Sequence, residues 1–445
     1  MDLLNLIKEA GVIGAGGAGF PTHAKLTSQA EYILLNGAEC EPLLRVDQQL
    51  MAKYPEEIIK GLEAAGRHIE ARQAIIGIKG KHKEVIRILR ERIAALGLSQ
   101  YMAVKELPDV YPAGDEQVLV YELTGRIVPE ASIPLKVGCV VINSETALNI
   151  YRAMAGQPVT DTYLTIAGDI PKPITVKVPV GMAVQDLLRQ CGVTNLADYA
   201  VIDGGPMMGP VMSNLEGYVT KKSKGYVLLK KDHHLIRKKT VNLQRARVIS
   251  RTACEQCRMC TDLCPRYLLG HSLQPHKTMR ALSYNLQDLE QLKFAQLCCE
   301  CNICELFSCP ANLHPKSINI IYKRKLAEQG LRYQPTETTF EARSARGYRL
   351  IPSKRLIAKI GLTEFDGAAP LTELTLKPET LSIPLRQHIG APAVPVVAVG
   401  DEVQAGQLIG RIPDNALGAA VHASLAGTVT EVTEQSIVIK VGSYV

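Results

Sequence analysis

Nine of the twelve cysteines fall between residues 254 and 309, and the spacing of eight of them sets the chemistry. Cys254, Cys257, Cys260 and Cys264 form C-x2-C-x2-C-x3-C, followed by Pro265. Cys298, Cys301, Cys304 and Cys309 form C-x2-C-x2-C-x4-C, followed by Pro310. The first spacing holds a [4Fe–4S] cluster in two-cluster bacterial proteins, where the fourth cysteine of each run reaches the other cluster. The expected sets are therefore Cys254, Cys257, Cys260 and Cys309 for one cluster, and Cys298, Cys301, Cys304 and Cys264 for the second. A zinc ribbon would show paired C-x2-C motifs without the third cysteine or the trailing proline. Disulfides are rare in a reducing cytosol. The longer second gap, Glu305 to Ser308, predicts one bulged loop, and Cys299 falls outside the step to Cys301.

A second candidate site is the glycine-rich run Gly14 to Thr22. Gly14, Gly16 and Gly19 match G-x-G-x-x-G, with Glu39 further on, but that fingerprint must follow a strand. Here the preceding segment has Leu3, Leu4 and Ile7 at helical spacing. The remaining expectation is a loop whose glycines let backbone N–H groups approach an anion.

These sites need elements to hold them. The 445 residues suggest about three domains. Apolar residues make up 46%, no apolar run is long enough to span a membrane, and the start lacks the basic and apolar regions of a signal peptide. With the cysteine usage, this predicts a cytoplasmic protein. Net charge is +7, from 51 basic and 44 acidic residues, with no Trp and five Phe, which gives no argument for nucleic-acid binding. Eleven Lys or Arg lie between Lys221 and Arg251 against one acid, Asp232, and read either as a solvated linker or as a docking face.

Strand-like runs at 32–35, 74–78, 101–104 and 139–142 alternate with helical ones at 55–65, 83–96 and 116–123, the mark of an α/β domain. Short strands at 163–166 and 174–178, then a helix at 184–190, suggest a β-grasp module. Residues 331–383 read as an irregular linker, and the tail as a small all-β barrel or sandwich. Cys40, Cys139 and Cys191 read as small buried hydrophobes. His233-His234 reads as a linker dipeptide and Met207-Met208 as loop packing. Without a lysine between Pro413 and Glu431, the tail barrel should carry no lipoyl or biotinyl arm.

The ordered motifs Gly14–Thr22 with Lys25, Asn36–Pro42, Tyr111–Gln117 and Asn143–Ala147 resemble the FMN-binding domain of the NADH-oxidising subunits of respiratory complex I and the Rnf complex. The following region resembles their β-grasp module. Pro384–Gly390, with Val399–Asp401 and Gly406-Gln407, resembles the lipoyl-like barrel-sandwich hybrid of the NADH-oxidising Rnf protein, there at the N-terminus. That permuted order and the C-x4-C gap resemble the cobalamin reductases of the bacterial propanediol-utilisation microcompartment. The resemblance implies an α/β FMN-binding domain at 1–158, a β-grasp domain at 159–230, a basic linker at 231–252, a ferredoxin-like α-helical domain with two [4Fe–4S] clusters at 253–330, a linker at 331–383, and an unmodified barrel-sandwich hybrid at 384–445.

It also implies site roles. Gly14, Gly16, Gly17 and Gly19 cradle FMN, Lys25 pairs with its phosphate, Asn36 and Glu39 bond the flavin or ribityl chain, and Asn143 and Thr146 close the site. Phe20, Glu41, Tyr111, Gly114 and Glu116 border the nicotinamide of NADH, with Glu41 and Glu116 as catalytic candidates. Ala15 departs from the arginine of complex I. The implied activity is NADH-dependent electron transfer through FMN and the clusters to cobalamin, reactivating a B12-dependent diol dehydratase. The implied partners are a corrinoid adenosyltransferase and microcompartment shell proteins, with the protein inside the microcompartment. Two rival readings remain open: a peripheral member of an Rnf-type membrane complex, and a non-catalytic electron conduit.

Overall fold

A computed structural model describes residues 2–286, 288–337 and 339–442. Met1 of the first expected domain and residues 443–445 of the last lie outside the described residues.

Four apolar runs form strands β1 (Tyr32–Gly37), β2 (Gln73–Lys79), β3 (Met102–Leu107) and, after the short β4 (Val110–Tyr111), β5 (Cys139–Asn143). They pair as an all-parallel sheet in the order β3-β2-β1-β5. Parallel strands need both faces covered, hence their near-continuous apolar sequences. Ile33 and Leu35 pack in one core with Ile58, Ile59 and Leu62 of the helix Pro55–His68. Leu34 and Val141 pack in a second with Leu119 and Leu123 of the helix Glu116–Thr124. Two helices, Val46–Lys53 and Ser144–Met154, were not expected. The first is short, and the second begins inside a motif that reads as a loop.

The next unit has β6 (Asp161–Gly168), β7 (Ile174–Pro179), the helix Val184–Gln190, β8 (Tyr199–Asp203) and β9 (Gly225–Lys230). Its order is β7-β6-β9-β8, with the central pair parallel, as a β-grasp fold requires. The segment 231–252, expected as a basic linker, carries the helices His234–Lys239 and Leu243–Ala253. Short helices then carry the cysteines.

The segment 331–383 is not merely irregular. Its strand β10 (Ile351–Pro352) pairs antiparallel with β4, and Leu356, Ile357, Ile360 and Leu362 are buried. They share a core with Tyr111, Ile202, Leu235, Cys301 and Ile303, where the flavin-type, β-grasp and cysteine-rich units meet. A composition rich in polar residues concealed this apolar strap.

The tail has β11 (Thr380–Pro384), β12 (Val394–Pro395), β13 (Glu402–Val403), β14 (Leu408–Arg411), β15 (Val421–His422), β16 (Gly427–Val432) and β17 (Ser436–Val441). They form two sheets, β11-β17-β16-β13 and β12-β14-β15. Leu381, Ile383, Ile437 and Ile439 join Leu164, Val176 and Leu228 in one core, so the barrel and β-grasp units are packed together.

Several lysines of the supposed docking face point inward. Lys221 is buried, and its Nζ donates to the carbonyls of Gly11 (2.8 Å) and Ala420 (2.9 Å), joining the first and last units. Lys239 donates to the carbonyls of Pro206 and Met207, and Lys238 to that of Leu313. The exposed basic residues of this stretch are Lys230, Lys231, Arg237, Arg245 and Arg251, spread from the end of β9 over both helices.

Burial pulls the Lys221 amine down to about 7. Its unfolded value lies near 10.4. Between these values the unfolded chain holds a proton that the folded chain has released, so this group adds stability as pH rises. Thermal midpoints measured from pH 7 to 9 should therefore rise more steeply in the wild type than in Lys221→Met. Parallel curves would contradict the assignment.

Candidate functional site

A cavity of about 290 Å³ opens at the carboxyl ends of β1 and β5. Strand order reverses between these two strands, and open parallel sheets bind ligands at such a point. Ala15, Gly16, Asn36, Glu39, Glu41 and Tyr111 line it, together with Gly114 and Asn143. Of the expected site residues, the structure thus gathers Gly16, Asn36, Glu39, Glu41, Tyr111, Gly114 and Asn143.

The glycine loop is held without a preceding strand. Ile13 and Pro21 form an isolated bridge, and Gly14 N donates to Phe20 O at 2.9 Å. Gly16 has φ +90°, and a Cβ there would lie 3.3 Å from the Lys224 side chain. A Cβ on Gly114 would lie 3.0 Å from Cys40 Cβ and 3.3 Å from Asn36 Oδ1. Asn36 Nδ2 donates to Gly114 O at 2.9 Å, so this amide ties β1 to the 111–117 loop. Thr146 lies behind the cavity wall, where its Oγ1 accepts from Ala15 N at 3.0 Å. Gly19 is gripped by the barrel unit, since Ile389 N donates to Gly19 O at 3.1 Å.

Other expected residues are placed differently. Lys25 and Glu116 are absent from the lining and pair with each other at 2.9 Å, both partly exposed. Gly14, Gly17, Gly19 and Phe20 are also outside the lining, and a Cβ on Gly17 would meet nothing within 4 Å. Glu41 reaches the cavity, but its carboxylate accepts from Met207 N (2.8 Å) and Met208 N (3.0 Å), clamping the β-grasp loop.

Leu44, Asp47 and Lys224, which the sequence did not single out, complete the site with Met208, read as loop packing, and Cys299, read as outside the cluster step. Cys40 lines it too, its Sγ accepting from Gly114 N at 3.2 Å, rather than only filling core. Lys224 comes from the loop before β9 and pairs with the buried Glu145. Burial, and then Asp47, push Glu39 up to about 8. Burial raises Asp47 to about 6 and pulls Lys224 down to about 8. No motif signals Lys224 or Asp47, because they come from elements distant from the glycine loop.

The cysteines form two groups. Cys254 and Cys309 pack against one apolar cluster, whereas Cys264 and Cys298 pack together in another. Cys304 lies near Cys298, Cys260 and Cys264. Each run uses two left-handed residues, Gln256 and Arg258 in one, Glu300 and Asn302 in the other, to turn successive thiols inward. The extra residue in the second run is absorbed as one wide π-helical turn, Cys304–Ser308. Among the described residues no three His, Cys, Asp or Glu side chains are close enough to share a single ion. A four-iron core needs its thiolates spread around a larger body. Cys257 is exposed, while Cys264, Cys301 and Cys304 are buried.

The second cysteine loop forms part of the cavity wall. Cys299 and Cys301 line it, Tyr111 Oη donates to Cys301 O at 2.8 Å, and Asn302 Nδ2 donates to Met207 O at 3.0 Å. Arg266 pairs with Asp115 at 2.8 Å, fixing the first cysteine run against the same domain.

Comparison with known proteins places these units. Family models match a Nuo51 FMN-binding domain at residues 7–152, an SLBB domain at 163–211, a 4Fe-4S dicluster domain at 253–314 and an RnfC barrel sandwich hybrid domain at 365–443. Cobalamin reductase PduS of Citrobacter freundii is 45% identical over 436 residues, covering 97% of this chain and 95% of that protein. This chain belongs to the cobalamin reductase PduS family. PduS of Salmonella typhimurium is 44% identical, covering 98% of this chain and 96% of its own. The C component of the Na(+)-translocating ferredoxin:NAD(+) oxidoreductase complex of Acetobacterium woodii is 33% identical, covering 59% of this chain and 57% of that protein. A solved NAD+-reducing [NiFe]-hydrogenase chain matches with TM-score 0.50 at 21% identity, covering 75% of this chain and 63% of that one, a likeness of fold alone. This chain thus combines an FMN-binding-type domain, an SLBB domain, a dicluster domain and a barrel, in the order expected. Among the described residues no helix is long and apolar enough to cross a membrane.

Proposed function

We propose that this PduS-family protein oxidises NADH and delivers electrons singly to cobalamin, in support of a B12-dependent diol dehydratase. One observation carries the reading: the cavity of the FMN-binding-type domain shares a wall with the cysteine loop 298–304. FMN, when bound, supplies the exchange between two-electron and one-electron chemistry, and iron–sulfur clusters supply one-electron carriage.

The residues present fit these groups. Gly16 and Gly114 let Lys224 and Cys40 close in on the cavity walls, and Asn36 and Asn143 stand at the carboxyl ends of the strands that line it. Asn143 makes no side-chain cap to the helix Ser144–Met154, so the first N–H groups of that helix remain for an anion. Tyr111, Met208, Cys299 and Cys301 line the side of the cavity that faces the cysteine-rich unit. Cys264, Cys298, Cys301 and Cys304 would hold the cluster next to it, and Cys254, Cys257, Cys260 and Cys309 the one nearer solvent.

The test is anaerobic. NADH should bleach the flavin of the purified protein, and with corrinoid adenosyltransferase and ATP it should yield adenosylcobalamin. Brisk ferricyanide reduction without any cob(I)alamin product under any partner condition would leave only a general NADH-dependent electron transferase. No flavin bleaching would leave a passive conduit.

A further inference from the structure

The cavity's charge needs explaining. Glu39, Glu41, Asp47 and Asp115 line it, and FMN would bring a further anion. A buried anion among carboxylates needs a cation. Lys25, the cation expected from the glycine motif, is drawn into its pair with Glu116. The basic residue in the lining is Lys224.

Its placement is built. Lys224 stands beside Gly16, whose missing Cβ makes room for its methylenes. Its ammonium is held by Glu145, only 2% exposed, and Glu145 Oε1 also accepts from Thr162 Oγ1 at 3.0 Å. Glu145 lies in the first turn of the helix Ser144–Met154, whose N-terminus is uncapped beside the cavity. Lysine, glycine loop and helix N-terminus therefore converge from two different domains.

We propose that Lys224, carried by the β-grasp domain, is the cation that receives the phosphate of FMN, and that it makes the site select FMN over riboflavin. This rests on the flavin reading above. The β-grasp domain is then part of the cofactor site, and Glu145 is a positioning residue that aims the ammonium.

The experiment titrates FMN and riboflavin separately into flavin-depleted full-length protein, followed by flavin fluorescence. Wild type should prefer FMN. In Lys224→Met the FMN affinity should fall by roughly tenfold to a hundredfold, the worth of a charge-assisted hydrogen bond, with riboflavin affinity little changed. Lys224→Met leaves Glu145 buried and unpaired, so Lys224→Met/Glu145→Gln is measured alongside and should show the same loss of preference. Lys224→Arg should restore it in part, and Lys25→Met should keep it. Equal loss of both flavins in the double variant would mean a structural role only. Loss of preference in Lys25→Met but not in the Lys224 variants would assign the phosphate to Lys25. Either outcome overturns the proposal. Wild type that binds neither flavin would instead sink the flavin reading itself.

Discussion

Replacing Cys309 by alanine should empty the cluster site of the other cysteine run. Cys309 groups with Cys254, Cys257 and Cys260 rather than with its sequence neighbours Cys298, Cys301 and Cys304. Two four-iron sites predict about eight iron atoms per chain, falling to about four in Cys309→Ala. Combining Cys309→Ala with Cys257→Ala should cause no further loss, because both serve one site. Combining it with Cys304→Ala should remove nearly all iron. If Cys309→Ala and Cys304→Ala together still retain half the iron, the two belong to one site and the crossed arrangement is wrong. The surviving cluster in Cys309→Ala should still be reducible by NADH, since the loop beside the cavity is intact.

The second large effect concerns Gly16. A β-branched residue at φ +90° is strongly disfavoured, and its Cβ would begin 3.3 Å from Lys224. Gly16→Val should purify with less than about a tenth of the wild-type flavin, the strain and lost contacts together amounting to several kcal/mol. Iron content should remain near normal, because the cysteine runs do not contact Gly16. Gly17→Ala is the control. Nothing lies within 4 Å of its added Cβ, so flavin should stay. Full flavin retention in Gly16→Val would mean that the cavity beside it is not the cofactor site.

What could be read from the residues differs between the two sites for a physical reason. Cluster motifs are local: three thiols two residues apart must share one loop, so spacing alone pointed to the dicluster domain. Even the extra residue before Cys309 was visible, though its form as a π-helical turn was not. The cavity is assembled from afar. Asn36 and Asn143 end neighbouring strands and belong to recognisable motifs, but Asp47 and Lys224 arrive through packing. Lys25 and Glu116 show the converse: both sit in motifs, yet they pair with each other outside the lining. The 351–362 strap was missed because its apolar residues are too few and too scattered to show a period, and only tertiary contact with Tyr111 and Ile303 buries them.

The grip of the barrel on the glycine loop also bears on when the site can form. Ile389 N holds Gly19, Gln387 Oε1 accepts from Lys221 N, and Ala420 O accepts from Lys221 Nζ, whose other partner is Gly11 O. During translation, Gly11 to Gly19 leave the ribosome early and these partners leave late. A nascent chain stalled before Pro384 would carry a glycine loop without its brace, so the loop should become ordered only once residues 387–420 have emerged.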